Sequence, residues 1–123
     1  MINCYRDLKV WQKAMDLVVE CYRLSMLLPK NEVYGLTRQI QRAAVSVPAN
    51  IAEGHGGDYR RNYLYHLSVA SGSLKELETH LLIGARLSYL REGELELAFG
   101  LTDEIGRMLT VLSKKLQALT PTP

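Results

Sequence analysis

The stretch LTRQIQRAAVSVPANIAEGHGGD, residues 36–58, decides how the chain is read. Leu36, Ile40, Ala43 or Ala44, Val47 and Ile51 recur at three- and four-residue spacing, which gathers them on one face of an α-helix and on neither face of a strand. Pro48 falls inside that helix. Its missing N–H and bulky ring crowd the carbonyl four residues back, so a bend is expected there. Gly54-His55-Gly56-Gly57 stops the helix, with Gly54 expected as the left-handed residue after the last turn and Asp58 as the cap of the next helix.

The same pattern extends outward on both sides. Upstream, Asn31 is expected to cap this second helix, with Glu32 placed favourably against its positive end. Before Pro29, residues 7–28 read as a first helix with Leu8, Trp11, Met15, Val18, Tyr22 and Met26 on one stripe. Downstream, a third helix runs from about Tyr59 to Leu90 along Tyr63, Leu67, Ala70, Leu74, Leu77 and Leu81. Ser71-Gly72-Ser73 in its middle costs helix propensity, and the expected compensation is close approach by a neighbouring helix. After a turn at Arg91-Glu92-Gly93, a fourth helix runs from about Glu94 to Leu119 with Ala98, Leu101, Ile105, Met108, Leu112, Leu116 and Leu119 inward. Thr120-Pro121-Thr122-Pro123 reads as a frayed tail. Nothing alternates at period two. The expected fold is all-α: one domain over residues 1–123, an antiparallel up-down-up-down four-helix bundle with short turns.

Composition agrees with that architecture and excludes others. The chain has 123 residues, 47% hydrophobic and 23% charged, which suits one hydrophobic core and not a disordered chain. Fifteen Lys and Arg against thirteen Asp and Glu leave a formal charge of +2, too little to imply nucleic acid by itself. Cys4 and Cys21 on or beside one helix are separated by roughly 25 Å, beyond the reach of a disulfide. Without a secretory signal or a membrane-spanning run, a reduced cytoplasmic chain with no membrane role is expected.

The sequence holds little catalytic chemistry. A di-iron bundle needs inward Glu-x-x-His pairs, which are absent. Glu76, Glu78 and His80 share one helix but are too few to close a metal site, so no metal and no cofactor are expected. Glu53, Glu78 and His80 are the only interior titratable candidates for an enzyme. His55 and His66 are isolated, and no nucleophile–histidine arrangement appears. The Gly-His-Gly-Gly run lacks the preceding strand and the Lys of a phosphate loop.

Binding features are richer. From Tyr59 onward, Arg60, Arg61, Tyr63, Tyr65 and His66 interleave cations with rings at a helix start, a combination that suits nucleic acid. Arg38 and Arg42 stand one turn apart on the second helix. Arg38, Arg42, Tyr59, Arg60 and Arg61 are therefore the candidate nucleic-acid-binding residues. Glu92, Glu94 and Glu96 give the fourth helix an acidic start, which suits the helix dipole or a basic face on a neighbouring subunit. Seven tyrosines against one phenylalanine fit subunit interfaces.

Several stretches carry a resemblance. Residues 5–14, YRDLKVWQKA, are followed by EVYGL at 32–36, SVPANIAEG at 46–54 and GSLKELE at 72–78. Together they resemble the four-helix bundle family of bacterial 23S rRNA intervening-sequence proteins, over about residues 5–90. The resemblance implies a small cytoplasmic bundle without enzymatic activity. Through a related branch, the accessory proteins of diversity-generating retroelements, it implies a homo-pentamer that binds nucleic acid. The expected function is a non-enzymatic oligomer that binds RNA or DNA, or a protein handling one, through surface arginines. The alternative is a structural or protein-interaction module with no nucleic-acid role.

Overall fold

The computed structural model describes residues 4–119. Four helices carry the fold: α1 (Lys9–Ser25), α2 (Leu36–His55), α3 (Arg60–Arg86) and α4 (Glu92–Leu119), with 3-10 turns at Tyr5–Asp7 and Lys30–Glu32. Among the described residues there is no strand. α1 packs on α2 and α4, and α3 packs on the same two. The diagonal pairs stay apart, so consecutive helices are neighbours in a square, as short turns between long helices dictate. The core runs the length of the square and encloses Leu17, Leu24, Ile40, Ile51, Leu67, Leu77, Leu81, Ile105 and Leu109 completely. The tail at 120–123 lies outside the described residues.

The stripes expected for α2 and α3 face this core, but the one expected for α1 does not. Val10, Ala14, Leu17, Cys21 and Leu24 are buried instead. Of the expected set, Leu8, Trp11 and Val18 pack half-buried at its edge, while Met15 and Tyr22 are exposed and Met26 is 85% exposed. α1 carries two apolar seams of the same period. The one with small residues, Ala14 and Cys21, lets the helix sit close to its neighbours.

Helix ends also depart from expectation. Residues 30–32 form a separate turn, and α2 begins at Leu36. Glu32, not Asn31, serves as its cap: Oε1 accepts a hydrogen bond from the Leu36 N–H at 3.0 Å. Tyr59 occupies the N-cap of α3 with no side-chain cap bond, where Asp58 was expected. α3 ends at Arg86, not Leu90. Tyr89 N–H reaches the Gly84 carbonyl at 2.9 Å and Ser88 N–H reaches Ala85 at 3.0 Å, with Ser88 left-handed at φ 64°. That bond pattern is a Schellman cap, built here on serine where glycine is usual. α4 starts two residues early, at Glu92, and Glu94 Oε1 accepts from the Arg91 N–H at 2.8 Å. Inward on α4 are Leu95, Ala98, Leu101, Thr102, Ile105 and Leu109, while Met108, Leu112 and Leu116 are half-buried. Leu119 is exposed, because the bundle ends there.

The glycine roles are reversed. Gly54 is not a left-handed stop: α2 continues through it to His55, and no glycine among the described residues has positive φ. A Cβ there would lie 2.8 Å from His66 Cβ and 3.3 Å from the Tyr63 carbonyl oxygen, so Gly54 is where α2 and α3 touch. Gly72 is exposed, with nothing within 4 Å of a Cβ built on it. The close contact expected there falls on its neighbour, where Ser73 Oγ meets Ser46 Oγ at 2.8 Å.

Candidate nucleic-acid interface

Pro48 is buried inside an unbroken α2. Two residues on, Asn50 donates from Nδ2 to the Ser46 carbonyl at 2.8 Å and to Ser46 Oγ at 3.1 Å. Its Oδ1 lies 2.9 Å from His66 Nδ1 on α3. Since the Ser46 carbonyl can only accept, the Asn50 amide orientation is set, and His66 Nδ1 must carry the proton it donates to Oδ1. His66 is thus a link between α2 and α3, not an isolated ring. Glu53 Oε2 lies 3.8 Å from the same nitrogen but faces solvent, so Glu53 is not interior.

Just beyond this link, α3 begins. Tyr59, Arg60 and Arg61 are all exposed there. An Arg60 Nη1 hydrogen bond to the Leu119 carbonyl ties the start of α3 to the end of α4. A cation at the negative end of a helix also complements its dipole. Arg61 and Asn62 make no side-chain hydrogen bond or ion pair among the described residues. Tyr59, Arg61, Asn62 and Tyr65 line one surface concavity.

Antiparallel packing brings more cations to this end. The start of α1, the α2–α3 turn and the last turns of α4 converge, carrying Arg6, Lys9, Arg60, Arg61, Lys114 and Lys115 against Asp7, Glu53 and Asp58. The opposite end carries Arg23, Lys30, Arg38, Arg86 and Arg91 against Glu20, Glu32, Glu92, Glu94 and Glu96, and so is balanced. A chain of small net charge is therefore polarised along its axis. Arg6, Lys9, Lys114 and Lys115 were not singled out from the sequence. Their signal is the strand of argument from helix order to helix direction, since no local motif marks them.

Arg38 and Arg42 do not join this end. Arg42 lies thirteen residues before the end of α2, about 20 Å away along the axis. It lines a small polar hollow with Gln39, Ser46, Ser73 and Glu76, whose carboxylate works against an anion.

Several other titratable groups make their contacts within the bundle. Glu20 is buried and accepts both Nε and Nη2 of Arg23, at 2.8 and 2.6 Å. Burial, with the Glu20 charge adding to it, pushes the Cys21 thiol up to about 12 and leaves it unreactive. Cys4 and Cys21 are both free. Glu76 Oε2 is 3.9 Å from His80 Nε2, while Glu78 turns toward the Thr102 hydroxyl at 3.4 Å. The three therefore do not converge on one point. Among the described residues no group of three or more His, Cys, Asp or Glu is placed to hold a metal. No described helix is long and apolar enough to cross a membrane.

The fold and this end define a class: an antiparallel four-helix bundle with a glycine contact and a polar link between α2 and α3, and with an excess of cations over anions at one pole. The 23S rRNA-intervening sequence protein family matches residues 6–111, and the chain belongs to that family. A crystal structure of a protein of unknown function from the S23 ribosomal protein family of Bacteroides thetaiotaomicron VPI-5482 has the same fold. It superposes with a TM-score of 0.79 at 24% identity, covering 85% of this chain and 98% of that one. No curated protein matches the chain.

Proposed function

We propose that this protein is a non-enzymatic cytoplasmic oligomer that binds nucleic acid, RNA foremost, through its basic end. The observation that carries the proposal is that Lys9, Arg61, Lys114 and Lys115 share one end of the bundle with the exposed Tyr59 and Tyr65, where Asp7, Glu53 and Asp58 are the acidic residues. Cations without intramolecular partners are available to phosphates, and their counterion release favours a polyanion. Arg60 serves the site while also holding α4, whereas Arg38, in the first turn of α2, and Arg42, beside Glu76, stay outside it.

Self-association is the second element of the proposal. Met15, Val19, Tyr22 and Met26 form the outer seam of α1, with Val19 69% and Met26 85% exposed, at the alternating spacing a second helix would fill. A homo-pentamer, as the family resemblance implies, would repeat the basic end around its axis and multiply a small protomer charge into a strong field.

Light-scattering mass on nuclease-treated protein, followed by RNA binding at two salt concentrations, tests both elements. An oligomer whose affinity falls steeply with salt is expected, and Arg61→Glu with Lys114→Glu and Lys115→Glu abolishes binding while the fold persists. A monomer, or affinity insensitive to salt, would refute the proposal. One observation favours a protein partner as a second reading. Leu8, Val10, Met108, Val111 and Leu112 floor an apolar groove between α1 and α4, edged by Lys9, Arg107 and Lys115. Salt-insensitive binding of a protein there would decide for it.

A further inference from the structure

We infer that the basic end selects unpaired strands over duplexes, through a stacking shelf formed by Tyr59 and Tyr65; this rests on the nucleic-acid reading and names its substrate class.

Tyr59 and Tyr65 are 76% and 62% exposed, an unusual placement for two large rings within seven residues. Both line the same concavity as Arg61 and Asn62. Helical spacing explains the grouping, since Arg61 and Tyr65 stand one turn apart and Asn62 lies one turn on from the Tyr59 N-cap.

Exposure alone would leave Tyr65 free to swing, but the tertiary structure holds it. Its ring meets the His66 imidazole edge-to-face, with centroids 5.2 Å apart and planes at 74°. His66 is itself held by Asn50 at 2.9 Å, and Asn50 by Ser46. A ring that is exposed yet braced from below loses little freedom when a base stacks on its open face.

Each part then matches one part of a nucleotide. The rings take bases, which stack with little regard to identity. Arg61 meets a phosphate. Asn62, with one acceptor and two donors on its amide, can hydrogen-bond a base edge. In a duplex the base faces are stacked on one another and cannot reach the rings, so only the cations engage.

The experiment compares a single-stranded oligonucleotide with a duplex carrying the same number of phosphates, by fluorescence anisotropy against the intact protein. The single strand is expected to bind tighter by roughly fivefold or more per stacked base. Tyr59→Ala with Tyr65→Ala lowers single-strand affinity to that of the duplex, while Tyr59→Phe with Tyr65→Phe retains the preference, because stacking needs the ring and not the hydroxyl. Equal affinity for both probes, or a preference that survives the alanine pair, overturns the shelf but spares nucleic-acid binding. Failure of the parent to bind either probe overturns both.

Discussion

The same substitution, glycine to alanine, should have opposite effects at two positions of this bundle. At Gly72 a methyl group enters open space on an exposed helix surface, with nothing within 4 Å. It removes the entropic penalty of glycine and should stabilise the protein by about 0.5–1 kcal/mol. At Gly54 the methyl would stand 2.8 Å from His66 Cβ and 3.3 Å from the Tyr63 carbonyl oxygen. Neither obstacle is the end of a flexible chain, so α3 itself must move. Overpacking of that kind costs about 1–3 kcal/mol, and the gain in helix propensity offsets part of it. A net loss of about 1–2 kcal/mol at Gly54 leaves the two variants about 1.5–3 kcal/mol apart. In urea, with a slope of about 1–3 kcal/mol per molar for a protein of this size, their midpoints should separate by about 0.5 M or more. Far-UV circular dichroism measures this directly. If Gly54→Ala is as stable as the parent, or if Gly72→Ala is the weaker variant, the assignment of the interhelical contact to Gly54 is wrong.

Two further stability predictions follow from particular geometries. Ser88 holds a left-handed conformation at φ 64° in the α3–α4 turn, a strain that glycine does not feel, so Ser88→Gly should raise stability by about 1 kcal/mol; a loss in thermal melting would contradict the cap. Stability should also decline in alkali. Burial pushes Cys21 up to about 12, burial raises Tyr63, and the hydrogen bond to Glu32 raises Tyr89. Each group loses its proton more readily in the unfolded chain, so stability is full below about pH 8.5, where an unfolded thiol starts to ionise, and falls as pH climbs toward 12. Cys21→Ala should flatten the first part of that decline, and an unchanged slope in urea midpoint against pH would exclude Cys21 as its cause.

Helices two and three were legible because each offers a single apolar stripe. Ile40, Val47 and Ile51, and Leu67, Leu74 and Leu81, leave one choice of inward face. Helix one offers two. Leu8, Trp11 and Met15 are larger than Ala14 and Cys21, and size argues for the wrong seam when the partner helices are unknown. The glycines misled for a related reason: a small residue marks close approach, a stop or nothing, and only the position of the facing helix tells which. The α3 cap escaped notice because Ser88 does what glycine usually does. The candidate site was half visible. Tyr59, Arg60 and Arg61 announce themselves as neighbours in the chain, whereas Lys114 and Lys115 reach them only after two reversals of direction.

Sequence alone determined the all-helical class, the four helices and their antiparallel order, since periodicity and turn length are local properties. Tertiary structure alone decided which seam of α1 is buried, which glycine is a contact, and that Lys114 and Lys115 share a pole with Arg60 and Arg61. Those outcomes depend on distances between residues far apart in the chain. Such distances exist only once the helices have packed.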